Sequence, residues 1–168
     1  MPLLPDRAYR LIMAERIQVI PEAPEAYELL LALNSSADRS AAEAGVEKPL
    51  VELVKIRTSM LNGCVFCVDM HTHAARHLGE TDRRIDLLAV WREADLYTTR
   101  ERAALALAEA LTKLSKTQEV PDDIYDQATA AFTPDQYCAI VWIVTVYNAF
   151  NRLSVCSRTP LPPTPMEV

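Results

Sequence analysis

The stretch Val51–His71, VELVKIRTSMLNGCVFCVDMH, decides how this chain is read. It opens inside a helix that starts at Pro49, with Leu50, Leu53, Val54 and Leu61 as its apolar stripe. Asn62-Gly63 ends that helix, because both residues tolerate left-handed backbone. Cys64 then stands at the N-terminus of the next helix, with Cys67 and His71 three and seven residues on. At 100° per residue the three side chains fall within about 60° of one another on one helix face. His71 is one turn from Cys67, so its imidazole reaches that sulfur. Glu52 lies on the preceding helix, from which its carboxylate can meet them.

These residue types in this order point to dithiol chemistry. A cysteine at a helix N-terminus gains from unpaired backbone N–H groups and the positive dipole end, and both favour thiolate. An adjacent imidazole makes deprotonation possible near neutral pH. A thiolate that meets a peroxide becomes a sulfenic acid, and a second thiol three residues away can condense with it to a disulfide. Glu52 would orient His71 or exchange protons with it.

Outward from the stretch, the chain reads as helices with short connections. On the N-terminal side, residues 1–23 carry Pro2, Pro5 and Pro21 and read as an irregular arm with a helical turn or two. Pro24-Glu25 opens a helix that fades before Gly45. On the C-terminal side the dithiol helix ends at Leu78-Gly79, and Thr81 caps a fourth helix carrying Ile85, Leu87, Leu88, Val90 and Trp91. Thr98-x-x-Glu101 is a capping box before an alanine- and leucine-rich helix. A short helix follows Val120-Pro121. Thr133-Pro134-x-Gln136 is a second capping box, opening a long apolar helix to about Leu153. The prolines of residues 157–168 exclude helix there. The expected fold class is therefore all-α, six to eight helices in one domain over residues 24–156, followed by a proline-rich tail.

Composition sets limits. Half of the 168 residues are apolar and the net charge is −6, which with no Lys/Arg cluster argues against nucleic acid as a partner. Three glycines in the whole chain favour helices over sheet. Prolines and charges interrupt the first residues where a secretion signal needs an apolar run. The apolar run Tyr137–Phe150, about 14 residues, is shorter than a bilayer span and suits a buried helix. Neither a membrane nor a disulfide framework is expected, and the reading is a cytoplasmic protein.

Glu52-x11-Cys64-x2-Cys67-x3-His71 resembles the signature of AhpD-like alkylhydroperoxidases, in the carboxymuconolactone decarboxylase superfamily. The surrounding KIRTSMLNGCVFCVDMHTHAARHLGE is similar to that family's core, and Asn148–Leu153 resembles its closing helix. The resemblance implies an all-α homo-oligomer, trimer or hexamer, with a thiol-dependent peroxidase activity and a disulfide cycle between Cys64 and Cys67. By motif position it makes Cys67 the residue that attacks the peroxide and passes through sulfenic acid. Cys64 becomes the partner thiol and proton donor, with Glu52 and His71 as proton relay. It implies a peroxide substrate, a lipoyl or thioredoxin-like reductant, and no cofactor or metal. Some members carry a histidine directly before the second cysteine, and Phe66 stands there instead. Two further readings stay open: a redox-sensing or metal-binding scaffold without catalysis, and a decarboxylase-like lyase on the same fold, against which both cysteines weigh.

Other residues read as scaffold. His73 and His77 fall on another helix face as surface or interface groups. Cys138 reads as a small core residue, Cys156 as an exposed one, and Trp91 and Trp142 as core or interface packing. Asn148, Asn151 and Arg152 either line the site or cap a helix.

Overall fold

The computed structural model describes residues 16–164. Most of the expected N-terminal arm, and the last four residues of the tail, lie outside them. Among the described residues all regular structure is helical. The α-helices are α1 (Val19–Glu22), α2 (Pro24–Glu43), α3 (Lys48–Asn62), α4 (Val65–His77), α5 (Asp82–Leu87), α6 (Thr99–Thr112), α7 (Leu114–Thr117), α8 (Asp122–Ala131) and α9 (Pro134–Ser157). A 3₁₀ turn, Leu88–Val90, continues α5.

Each boundary has a local cause. Thr81 accepts from the Arg84 N–H to cap α5. Thr98 with Glu101, and Thr133 with Gln136, form complete capping boxes on α6 and α9. α3 stops at Gly63, whose φ of +70° is the left-handed conformation that glycine accepts without strain. Gly45 and Gly79, with φ of +75° and +90°, follow the ends of α2 and α4.

Two boundaries differ from the sequence reading. The fourth helix tightens into the 3₁₀ turn before Trp91 instead of running through it. α9 continues four residues beyond Leu153, ending with Arg158 in the left-handed region. The short α7 was not anticipated.

α3 is the centre of the molecule. It packs against α4, α6 and α9, while α2 closes the other side of α9 and α8 covers α6. Its neighbours on every side explain why Leu50–Ile56, including Glu52 and Lys55, are buried without a break. One apolar cluster joins α2, α3, α6, α8 and α9 around Val54, Leu107, Ile140 and Val144. A second joins Leu53, Ile56, Ala75, Leu88, Trp91 and Leu105 beneath α4 and α5.

A charged network ties α3 to α6 beside the second cluster. The Glu109 carboxylate accepts from Arg57 Nε at 2.8 Å, Trp91 Nε1 at 2.8 Å and Arg92 at 3.1 Å, with Lys113 at 3.3 Å. Burial pushes this carboxyl up, but the Trp91 and arginine hydrogen bonds outweigh it and hold its pKa at about 2.

α9 is long and apolar enough by length and composition to cross a bilayer. Its Ile140, Ile143, Val144 and Tyr147 side is core. The opposite side carries Cys138, Trp142, Thr145 and Arg152 to the surface. Cys138 is therefore exposed and not a core residue as expected. In a helix apolar nearly all round, spacing does not say which stripe faces out.

Candidate functional site

The α3–α4 turn builds the site. With Gly63 in the left-handed conformation, the chain reverses and Cys64 becomes the N-cap of α4. Its backbone N–H is fixed to the Ser59 carbonyl at 3.0 Å. Its sulfur takes the cap position that a serine or aspartate oxygen usually fills, accepting from the Cys67 N–H at 3.4 Å. Both cysteines are reduced and buried.

The two thiols are driven apart in acidity. A hydrogen bond from the Cys67 thiol is the largest effect on Cys64. Burial opposes it, but the Cys67 N–H, Ser154 and Asn151 add to it and bring Cys64 down to about 6. The same hydrogen bond pushes Cys67 up, joined by burial and by the negative charge on Cys64. Both shifts favour placing the pair's first negative charge on the capping sulfur.

Glu52 and His71 complete the constellation. His71 Nδ1 lies 2.7 Å from Glu52 Oε2, and since a carboxylate only accepts, Nδ1 carries the hydrogen. In the neutral ring that leaves Nε2 as the acceptor nitrogen; it is fully buried and without a hydrogen-bond partner among the described residues. The ring packs edge-on against Tyr147 with centroids 4.8 Å apart. Burial alone would raise the Glu52 pKa, but the hydrogen bond and charge of His71, with Lys55, lower it. All four residues singled out in the sequence are thus buried, and direct hydrogen bonds join them in two pairs, Cys64 with Cys67 and Glu52 with His71.

Three further groups join the site: Asn151, which the sequence left between lining the site and capping a helix, Ser154, which sequence reasoning missed, and Lys55. Asn151 donates to Ser59 Oγ at 3.1 Å, accepts from Asn62 at 2.9 Å, and bonds the Cys64 sulfur. Its signal was a polar residue inside an apolar helix. Ser154, one turn later, also bonds that sulfur. Lys55 stands one helical turn after Glu52 on α3. Lys55 Nζ lies 3.0 Å from Glu52 Oε1 and 3.0 Å from Asp38 Oδ1.

Asn148 accepts from Asn62 at 3.0 Å, and Arg152 folds back onto Asn148, so both brace α9 against the turn. His73 and His77 stack on each other at 4.3 Å on the outer face of α4. Among the described residues no three His, Cys, Asp or Glu side chains converge as metal ligands.

Two cavities approach the site. One of about 720 Å³ touches Cys64, Val65 and Phe66 on one wall and Ser154, Val155 and Leu161 on the other. A second, of about 520 Å³, is lined by Asp38, Glu52 and Lys55 together with His77.

Residues 24–110 match the carboxymuconolactone decarboxylase family. The uncharacterized protein YdfG of Bacillus subtilis (strain 168) is 36% identical over 143 residues, covering 85% of this chain and 94% of its own. A solved structure from Agrobacterium tumefaciens, a protein of unknown function provisionally assigned as the antioxidant defence protein AhpD, superposes with TM-score 0.80. It is 35% identical and is covered over 99% of its length, with 89% of this chain. The AhpD core of a peroxidase-related protein from Ralstonia eutropha JMP134 shares the fold at TM-score 0.73 and 22% identity, over 86% of this chain and 75% of its own. With the dithiol helix inside the matched region, the chain belongs to the carboxymuconolactone decarboxylase family as an AhpD-like member.

Proposed function

We propose that the protein is a cytoplasmic thiol peroxidase that reduces organic hydroperoxides through a Cys64–Cys67 dithiol–disulfide cycle. The observation that carries this reading is the position of the Cys64 sulfur, which caps α4 by accepting the Cys67 N–H and lines a cavity, with the second thiol one helical turn behind it. The Cys64 thiolate attacks the O–O bond, forms the sulfenic acid and releases an alkoxide, which takes a proton and leaves as alcohol. The Cys67 thiol then attacks the sulfenic sulfur. Its proton passes to His71 Nε2, the disulfide forms, and the leaving hydroxide takes a proton to become water. An external dithiol, a lipoyl group or a thioredoxin-like protein, reduces the disulfide. Glu52 keeps Nδ1 protonated, so Nε2 stays the base. The apolar walls of the Cys64 cavity, Val65, Phe66 and Leu161, favour an organic peroxide over hydrogen peroxide. Family likeness adds self-association to this reading, and sedimentation as an 18.8 kDa monomer would count against it.

This assignment exchanges the cysteine roles that the family resemblance implies. Dimedone trapping after one equivalent of cumene hydroperoxide decides between them. Labelling of Cys64 in Cys67→Ser is the expected result. Labelling confined to Cys67 in Cys64→Ser returns the attack to Cys67. Retention of both thiols in the unaltered protein after peroxide removes the peroxidase reading and leaves the redox-sensing or metal-binding scaffold.

A further inference from the structure

We infer that Lys55 and Asp38 extend the Glu52–His71 pair to the second cavity, and that the buried site exchanges protons with solvent there, away from the substrate. The inference rests on the dithiol cycle proposed above. Proton balance requires such a route. Starting from one thiolate and one thiol, oxidation by a hydroperoxide yields disulfide, alcohol and water and takes up one proton. Reduction by a dithiol restores the thiolate and thiol and gives that proton back. One proton must therefore enter and leave a site whose His71 is fully buried and whose Glu52 is 6% exposed.

For the Glu52–His71 pair the geometry supplies a route through the second cavity, which Glu52 and Lys55 line. His71 lines neither cavity. During turnover the cavity at Cys64 holds the peroxide or the reductant. The second cavity shares no lining residue with it and reaches the far side of the Glu52 carboxylate. From there a continuous chain runs inward. Asn34 fixes Asp38 Oδ2 at 3.2 Å, Asp38 Oδ1 meets Lys55 Nζ at 3.0 Å, Lys55 meets Glu52 Oε1 at 3.0 Å, and Glu52 Oε2 meets His71 at 2.7 Å. Asp38 is the outer end, its side chain 38% exposed.

Lys55 acts as a positioning residue. It is pinned between two carboxylates and lies 5.1 Å over the Tyr147 ring, which also packs on His71. Holding Oε1 leaves Oε2 turned to the imidazole. The ionisable groups facing the chain are Asp38 from α2, Lys48 from α3, His71 and His77 from α4, and Tyr147 from α9. Burial pushes the Tyr147 phenol up, so it is neutral and leaves the relay charge to Lys55 and the carboxylates.

Filling the second cavity without touching the chain tests this. Ala42, exposed on α2, lines it, and Ala42→Trp closes it. Should that variant fail to fold, Leu78→Trp closes the same cavity from the end of α4. The full-length protein is oxidised with diamide and reduced by dithiothreitol in weak buffer with a pH indicator, so thiol return and proton release are followed together. Oxidation by cumene hydroperoxide is measured beside it.

Both half-reactions should slow by about tenfold in Ala42→Trp and in Asp38→Asn, a modest part of what acid–base catalysis contributes. Formate should restore Asp38→Asn by entering the open cavity and should not restore the Ala42→Trp/Asp38→Asn double variant. Unchanged rates in a folded, closed-cavity variant overturn the route, as does equal rescue of single and double variants. If the variants slow dithiothreitol reduction as expected but the unaltered protein is never oxidised by cumene hydroperoxide, the peroxidase reading falls and the proton route stands.

Discussion

At the scale of the residue, the candidate site makes two cysteines unlike. The partner thiol and the Cys67 backbone N–H favour charge on Cys64 and push Cys67 up, while Asn151 and Ser154 act on both sulfurs. Reactivity should follow. A thiol becomes nucleophilic by losing its proton, so alkylation of Cys64 by iodoacetamide should rise with pH through about 6 and level off above it. Cys67→Ala removes the largest lowering contribution, and the inflection should move up toward the ordinary value of 9.0. An inflection unmoved in Cys67→Ala would show that the pair is not coupled. The four site residues were legible because helical spacing and one turn bring them together. Asp38 was not. It sits on a different helix, 14 residues before Glu52, and nothing local ties it to Lys55.

At the scale of the element, the α3–α4 turn holds the candidate site. Gly63 has no neighbour within 4 Å of where a Cβ would stand, so replacing it tests conformation alone. Gly63→Ala should destabilise the fold by about 1 kcal/mol through the positive φ, read as a lowered midpoint in urea. It should also disturb the Cys64 cap, so the alkylation inflection should rise in the same variant. Loss of stability with an unmoved inflection would separate the turn from the thiol's acidity. Boundaries written in caps and glycines were readable from the sequence, as at Thr98, Thr133 and Gly63. The 3₁₀ turn at Leu88 and the short α7 were not, because neither has a cap signal and tertiary packing shapes both.

At the scale of the whole molecule, α3 is surrounded and the charged network at Glu109 locks it to α6. Removing the carboxylate leaves Arg57 part-buried and unmatched, so Glu109→Ala should cost about 3 kcal/mol in thermal or urea unfolding. The pH dependence has a definite sign. The folded pKa lies below the ordinary 4.5, so this contribution is complete above about 4.5 and fades as pH falls toward 2. Glu109→Gln should therefore show a shallower loss of stability between those values than the unaltered chain, and an equal slope would remove Glu109 from acid unfolding. The all-α class and the count of major helices were plain in the sequence. The surface was less so. Apolar residues on α9 say that it packs, not which side, and Cys138 and Trp142 are on the outer one.

The capping sulfur has one more consequence. Every contact that stabilises Cys64 as thiolate is a contact with the reduced protein, and a disulfide sulfur forfeits most of it. Favouring the reduced state raises the reduction potential, so the Cys64–Cys67 disulfide of the proposed cycle would be a readily reduced, oxidising one. Equilibration in glutathione buffers reads that poise directly, and a potential as low as that of a structural disulfide would contradict it. In the proposed cycle, the turn that shapes the helix start would thereby also set how easily an electron donor resets the site.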